Sequence, residues 1–320
     1  MFFEKIEAMY RDSVYKRADA NGAIFYFSAK DFEGLRSEPF VFSSVKGHSL
    51  KGNFYYYDGY IPGRIVIFDH GMGSGHRGYM KEIELIAREG YLVFAYDHTG
   101  CMESGGETTG GFAQSLVDLN DAVCAVKSIA ELKGCDISVV GHSWGAFSTM
   151  NICALHPDIS HVAAMSGFIA VKCIVNQSFG GLLSLFRKKI YAIEQASNPE
   201  FVRYNAVKSL GEYNGKALII HSEDDNVCSC KFNFDVLRKE LFGKRNISFL
   251  KVNGKNHNPN YTEDAVKYKD EFFEIYKKEL KADKLNSENK KKAFILRFDW
   301  DRMTAQDMSV WQEIFDFLKS

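Results

Sequence analysis

Short apolar runs rich in β-branched residues alternate with segments of helical periodicity along most of the chain. A buried strand, a helix and a further strand form a βαβ unit, which brings the two strands side by side in parallel. The alternation therefore predicts an α/β fold with a mainly parallel, twisted sheet and helices on both faces. The predicted strands are residues 40–45, 52–57, 64–68, 91–96, 137–140, 162–165, 217–220 and 247–252, and the helices between them are 79–89, 113–132 and 146–155.

One long stretch interrupts this alternation. Residues 167–210 lie between two predicted strands, where a single crossover helix would be enough, and they are almost uncharged as far as Arg187. The length of the stretch favours a small helical cap over the sheet, with an apolar inner face that covers Ser143, whereas a pair of ordinary core helices is the alternative. The core is accordingly assigned to residues 1–166 and 211–280.

The two ends of the chain are expected to be helical additions to this core. Residues 1–36 form a predicted helical lead-in, of which residues 1–20 are expected to be an exposed helix. Residues 281–320 begin as a polar linker and end in a predicted helix, 305–319, which we expect to dock on the core because one face is apolar. That face carries Val310, Trp311, Ile314, Phe315 and Leu318.

Charge and composition exclude several functional classes. Lysine and arginine number 40 against 41 acidic residues, a net charge of −1, which argues against a protein that binds the phosphates of nucleic acid. The sequence contains no apolar stretch of membrane-spanning length, and charges at Glu4, Lys5 and Glu7 argue against a signal peptide. The expectation is a cytoplasmic protein with a small-molecule substrate, whereas the oligomeric state is not predicted.

Cysteine usage agrees with a reducing compartment. An odd number of cysteines at irregular spacing does not indicate a disulfide framework, and the single C-x-C pair lacks a second pair for a zinc site. No metal or cofactor is predicted. The seven cysteines are Cys101, Cys124, Cys135, Cys153, Cys173, Cys228 and Cys230.

A candidate nucleophile follows the strand at 137–140. The sequence Gly141-His142-Ser143-Trp144-Gly145 runs from this strand into a helix, which is the context that the G-x-S-x-G motif requires. The sharp turn needs small residues two places before and after its centre, and it presents the Ser143 hydroxyl at the carboxyl edge of the sheet. The amide of Trp144 then opens the helix and faces any oxyanion formed there.

A serine needs a base, and the base needs an orienting acid. His257 lies in a loop directly after the strand at 247–252, although loop histidines are often merely solvated. The strand at 217–220 is followed by Glu223, Asp224 and Asp225, each of which is a candidate acid or a turn residue. Asp225 lies furthest past the strand end and is the preferred acid.

A glycine-rich loop, residues 69–76, follows the strand at 64–68. Such a loop also occurs in phosphate-binding sites, but the Walker lysine and the G-x-G-x-x-G pattern are absent from this sequence. An oxyanion hole explains the loop better, with the amide of Met72 as the donor.

Together these segments resemble the α/β-hydrolase superfamily, and within it the monoglyceride-lipase and lysophospholipase-like serine hydrolases, which are grouped with serine aminopeptidases. The resemblance implies Ser143 as nucleophile, His257 as base and Asp225 as acid, with the Met72 and Trp144 amides as oxyanion hole. Met102 departs from the family, because a glycine is usual there. The matching stretches are FDHGMGSGHRGY, YLVFAYDHTGCMESGG, ISVVGHSWGA, LIIHSEDDNVCS and VNGKNHN.

The sequence thus predicts a serine hydrolase that cleaves an acyl or aromatic acyl ester through an acyl-enzyme. Two alternatives remain open. A serine exopeptidase of the same fold would need acids to bind a free amino terminus, for which Glu194 and Glu200 are the obvious candidates. A non-catalytic ligand-binding protein on a hydrolase fold is the other.

Overall fold

The computed structural model describes residues 2–320, which form a single sheet of eight strands. The strand order is β1-β2-β4-β3-β5-β6-β7-β8. The six strands β3 to β8 are parallel to one another. At one edge of the sheet, β2 is antiparallel to both of its neighbours, β4 and β1. The strands are β1 (Arg36–Ser43), β2 (Ser49–Tyr56), β3 (Arg64–Asp69), β4 (Leu92–Tyr96), β5 (Asp136–His142), β6 (His161–Met165), β7 (Lys216–Ser222) and β8 (Ile247–Val252).

Helices cover both faces of this sheet. Apolar side chains of α3, α4, α7 and α8 share one core with the sheet, and those of α2 and α12 share the core on the other face. The helices are α1 (Phe2–Tyr10), α2 (Met80–Arg88), α3 (Gln114–Ser128), α4 (Trp144–Ile152), α5 (Val171–Ser178), α6 (Arg187–Ser197), α7 (Ala206–Glu212), α8 (Phe234–Glu240), α9 (Glu263–Lys281), α10 (Glu288–Ile295), α11 (Trp300–Met303) and α12 (Met308–Lys319).

The predicted fold class is confirmed, because each strand predicted from apolar runs is present within a few residues of its expected bounds. β3 to β6 are almost wholly buried, which explains why they read as continuous apolar runs rather than as alternating patterns. Parallel strands end at a common edge of the sheet, so the loops after β3, β5, β7 and β8 meet there.

The prediction of an exposed helix over residues 1–20 is correct only for the first part of this range, as far as the structure describes it. The regular helix ends at Tyr10, a π-helical turn continues to Tyr15, and the chain is irregular from there to the short turn at Ala29–Asp31. Tyr10 is buried, and its hydroxyl donates a hydrogen bond to Glu194, 2.7 Å away on α6. An inward face therefore pins α1 to the molecule, which sequence periodicity alone did not reveal.

The C-terminal segment packs on the sheet through α12. This helix begins at Met308, where the side chain of Asp307 caps the amide of Ser309, and Trp311 is fully buried. The apolar run at 293–298 is part of α10 and the turn after it, and α10 and α11 pack against α9 around Phe272. None of the helices in residues 2–320 combines the length and apolarity needed to cross a bilayer.

Residues 167–210 contain α5, α6 and the first residues of α7, separated by a 3₁₀ segment, Gly181–Phe186. α5 and α6 bury Ile174 and Ile190 in the core shared with α3 and α4. Leu182 and Leu185 of the 3₁₀ segment are instead 89% and 80% exposed. The stretch is thus helical, with its most apolar part facing outward.

Candidate active site

Ser143 occupies a strained turn between β5 and α4. Its backbone has φ +56° and ψ −111°, a conformation that residues with a side chain rarely adopt. A Cβ atom on Gly141 would lie 2.2 Å from Oγ1 of Thr149, and one on Gly145 would lie 2.0 Å from the carbonyl oxygen of Asp69. Both glycines are therefore required, and the turn holds the Ser143 hydroxyl at the edge of the sheet.

His257 lies between Ser143 and Asp225. Its Nε2 is 2.8 Å from Oγ of Ser143, and its Nδ1 is 2.9 Å and 3.0 Å from the two carboxylate oxygens of Asp225. Nδ1–H therefore donates to the carboxylate, which leaves the Nε2 lone pair to accept a proton from the serine hydroxyl. The loops after β5, β7 and β8 bring together three residues that are widely separated in the sequence.

Asp225 is held in its ionised form. Burial alone would raise the pKa of this carboxyl, but hydrogen bonds from His221 and His257 lower the pKa well below its ordinary value. The amides of Val227 and Cys228 each donate to Oδ1 at 2.8 Å. A fixed negative charge therefore faces Nδ1 of His257 at neutral pH.

The two other candidate acids do not reach the imidazole. Asp224 is exposed, and its carboxylate accepts one hydrogen bond from the amide of Asn256, at 3.2 Å, and another from the hydroxyl of Ser222. Glu223 is also exposed. Of the acids after β7, the structure brings only Asp225 to His257.

Both residues whose amides are predicted to bind an oxyanion lie near the serine. Trp144 is the first residue of α4, so its amide hydrogen has no acceptor within the helix. The glycine-rich loop is in close contact from the other side, because a Cβ on Gly71 would lie 3.3 Å from Cβ of Ser143. Met72, the next residue of this loop, lines the cavity that also contains Ser143.

A hydrogen-bonded chain that the sequence did not reveal links three loops of the site. Nε2 of His142 is 2.7 Å from the carbonyl oxygen of His257, so this nitrogen carries the proton. Its Nδ1 then accepts from the hydroxyl of Tyr79 at 2.9 Å, and that hydroxyl accepts from the amide of Gly71 at 3.1 Å. Burial and the neighbouring His257 lower the pKa of His142 to about 3, which keeps the ring neutral. His142 is the second residue of the serine motif, but the motif does not indicate its hydrogen-bond partners, which come from other loops.

Ser143 opens into a cavity of about 580 Å³. Much of its wall is aromatic and comes from residues 24–27, α9 and α11 rather than from residues 167–210, none of which lines the cavity in the described part of the chain. The wall therefore differs from the cap expected over the nucleophile. The C-terminal segment reaches the site because α10 and α11 pack on α9. The aromatic lining residues on these elements are Phe25, Tyr26, Phe27, Phe272, Phe273 and Trp300.

Comparison with known proteins agrees with this architecture. A family model described as serine aminopeptidase, S33, matches residues 61–207, which include Ser143 and end before Asp225 and His257. The uncharacterized protein YqkD of Bacillus subtilis (strain 168) is 28% identical over 145 residues, 45% of this chain and 46% of that relative. The chain thus matches about half the length of this curated relative.

Solved structures match over a larger part of the fold. The esterase Pf2001 of Pyrococcus furiosus superposes with a TM-score of 0.58 at 20% identity, covering 84% of this chain and 97% of the esterase. Acetyl xylan esterase 1 of Thermoanaerobacterium sp. gives a TM-score of 0.53 at 15% identity, covering 72% of this chain and 80% of that one. With its mostly parallel eight-stranded sheet and the serine turn after β5, this chain has the α/β-hydrolase fold.

Proposed function

We propose that this protein is a serine hydrolase that cleaves a carboxylic ester through Ser143, His257 and Asp225. The observation that carries the proposal is the continuous set of contacts from Asp225 to Nδ1 of His257, at 2.9 Å, and from Nε2 to the Ser143 hydroxyl, at 2.8 Å. This arrangement supplies a base for the serine and an acid that fixes the tautomer of that base.

The reaction follows from these contacts in two steps. Oγ of Ser143 attacks the ester carbonyl while Nε2 of His257 takes its proton, and the ionised Asp225 stabilises the imidazolium. The tetrahedral intermediate collapses, and His257 returns the proton to the leaving alcohol, which yields an acyl-enzyme. Water then attacks the acyl group with His257 as base, the acid is released, and Ser143 regains its proton.

The amides of Met72 and Trp144 are the proposed oxyanion hole. Charge on the carbonyl oxygen develops beside the serine, where the amide at the start of α4 and the glycine-rich loop meet. Donors fixed in advance stabilise that charge more than they stabilise the neutral ester, which is how they accelerate the reaction.

The lining of the cavity favours an acyl or aromatic acyl group over a peptide with a free amino terminus. Glu194 and Glu200, the acids considered for an exopeptidase, do not line the cavity in the described part of the chain. Glu194 is buried, and it accepts hydrogen bonds from the Tyr10 hydroxyl at 2.7 Å and the Phe112 amide at 2.8 Å. The carboxylate of Glu194 therefore binds groups of the protein itself, which argues against its binding the amino terminus of a peptide.

Turnover of 4-nitrophenyl esters, compared with that of aminoacyl 4-nitroanilides, tests the proposal. We expect saturable hydrolysis of the esters, little hydrolysis of the anilides, and loss of ester turnover in Ser143→Ala. Preferred cleavage of the anilides would instead support the exopeptidase. A folded protein that cleaves neither substrate, or a Ser143→Ala variant that keeps full activity, would overturn the proposal.

A further inference from the structure

Two cationic side chains line the largely aromatic cavity, Arg77 from the loop after β3 and Lys269 from α9. Arg77 is exposed, whereas Lys269 is half-buried on the face of α9 that also carries Phe272 and Phe273. The proposed ester hydrolysis uses neither of them. Their presence beside the nucleophile therefore needs a separate explanation.

Lys269 has no carboxylate as a direct partner. Within residues 2–320, no acidic oxygen lies within 4.0 Å of its ammonium, although the charges of Glu82 and Asp270 act on it from a greater distance. Nζ donates to Oδ1 of Asn258 at 3.0 Å and lies 4.8 Å from the centre of the Tyr261 ring. Burial lowers the pKa of Lys269, as expected when a cation loses water without gaining an adjacent anion.

The position of Lys269 relates it to the reacting atoms. Asn258, which accepts the hydrogen bond from the ammonium, directly follows His257 in the chain. The positive charge of Lys269 also contributes to the lowered pKa of His142, which precedes Ser143. Asp270 is the one acidic residue among the described residues that line the cavity, and it is exposed and forms no ion pair with either cation. An ammonium has three donors, of which Asn258 occupies one.

We propose that the natural ester carries a carboxylate, which Lys269 binds while the ester carbonyl lies at Ser143. The inference rests on the proposed function and specifies its substrate class. Because Lys269 and Ser143 line the same cavity, we expect the linker between the carboxylate and the ester carbonyl to be short enough to fit within it. The carboxylate belongs either to the acyl group, as in a half-ester of a dicarboxylic acid, or to the alcohol.

Paired substrates that differ only in charge test this proposal. For the acyl side the pair is mono-4-nitrophenyl adipate and its neutral carboxamide analogue, and for the alcohol side it is 4-carboxyphenyl hexanoate and 4-carbamoylphenyl hexanoate. We expect kcat/KM to favour the anionic member of one pair by about tenfold, as a hydrogen-bonded charge contact provides. The preference should arise mainly in KM and should shrink as salt is added.

Substitutions on α9 identify the cation responsible. Lys269→Gln should remove the preference, while Lys269→Arg should keep most of it, because the positive charge remains. Lys267→Gln is the matched control, since Lys267 is exposed on the same helix and does not line the cavity. The ratio of two substrates is measured within each variant, so a smaller folded fraction does not alter it.

The outcomes separate this inference from the proposed function. Equal kcat/KM for both members of both pairs, or a preference that survives in Lys269→Gln, would overturn the carboxylate proposal and leave the esterase intact. Absence of turnover with every ester, charged or neutral, would overturn both proposals.

Discussion

The carboxyl edge of the sheet and the wall of the cavity are built in different ways. At the edge, Ser143, Asp225 and His257 each follow a strand of the core directly and are fixed by short polar contacts. The wall is largely aromatic and comes from segments outside the sheet, including residues 24–27 and the short helix α11. The proposed chemistry thus depends on the core, whereas the proposed recognition of substrate depends on additions to it.

The two additions to the core also differ from each other. The C-terminal segment contributes Trp300 to the cavity and the fully buried Trp311 to the core. The insertion at 167–210 leaves Leu182 and Leu185 exposed and does not line the cavity within residues 2–320. This comparison indicates that changes at the edge should abolish catalysis, changes in the C-terminal segment should alter stability or KM, and changes at exposed positions of the insertion should do neither.

The largest expected effect is at the acid. Asp225→Asn should keep the fold and lower kcat by about four orders of magnitude, because the neutral amide favours the wrong tautomer of His257. Asp224→Asn is the matched control, and it should reduce kcat far less because Asp224 is exposed. Steady-state kinetics on a neutral ester measure both. If Asp224→Asn were the more damaging change, Asp224 would be the acid.

A buried residue of the C-terminal segment should affect stability instead. Trp311→Ala removes a fully buried ring whose Nε1 donates to Gln306 at 2.8 Å, and it should lower the free energy of unfolding by about 3–5 kcal/mol. Urea unfolding checks this, with Glu313→Ala on the exposed side of α12 as the control. An unchanged unfolding curve would mean that the segment does not stabilise the core.

A residue of the cavity wall should change recognition without comparable loss of chemistry. The ring centres of Trp300 and Phe272 are 5.1 Å apart, and both rings line the cavity. Trp300→Ala therefore removes apolar surface from the wall. We expect KM for long or aromatic acyl esters to rise by about tenfold and KM for an acetate to change little, since only the larger group contacts this surface. Leu296→Ala, at a position 85% exposed, is the control. Equal effects on all esters would contradict this role.

The smallest effect should be in the insertion. Leu185→Ser alters a side chain that is 80% exposed, so the free energy of unfolding should change by less than about 0.5 kcal/mol. KM for soluble esters should remain the same. A clear rise in KM would show that the insertion reaches the substrate and would return it to the expected role of a cap.

The core and the places in the chain of the candidate site residues could be predicted because their signals are local. Apolar runs define β3 to β8, and steric exclusion at Gly141 and Gly145 requires the spacing of the serine motif. Met102 illustrates the limit of a family pattern, since it adopts φ +44° where a glycine is usual. A residue with a side chain can thus adopt a backbone conformation that glycine favours.

The wall of the cavity could not be predicted because it depends on contacts between distant parts of the chain. The ring centres of Phe272 in α9 and Phe294 in α10 are 5.8 Å apart. Those of Trp300 and Phe25, which lies near the start of the chain, are 6.1 Å apart. Nothing in the local sequence of residues 24–27 indicates that they line the cavity that contains Ser143. The contact of His221 with Asp225 is local, since the two residues are four apart, but it depends on the course of the turn after β7, which the sequence does not specify.

Covalent labelling of Ser143 tests the central claim most directly. A fluorophosphonate reacts with a serine whose hydroxyl is activated by an adjacent base, and the intact-protein mass reports the adduct. We expect the folded protein to gain one adduct, Ser143→Ala to gain none, and peptide mapping to place the label on Ser143. A folded protein that stays unlabelled, or a label at another residue, would contradict the assignment of Ser143 as nucleophile.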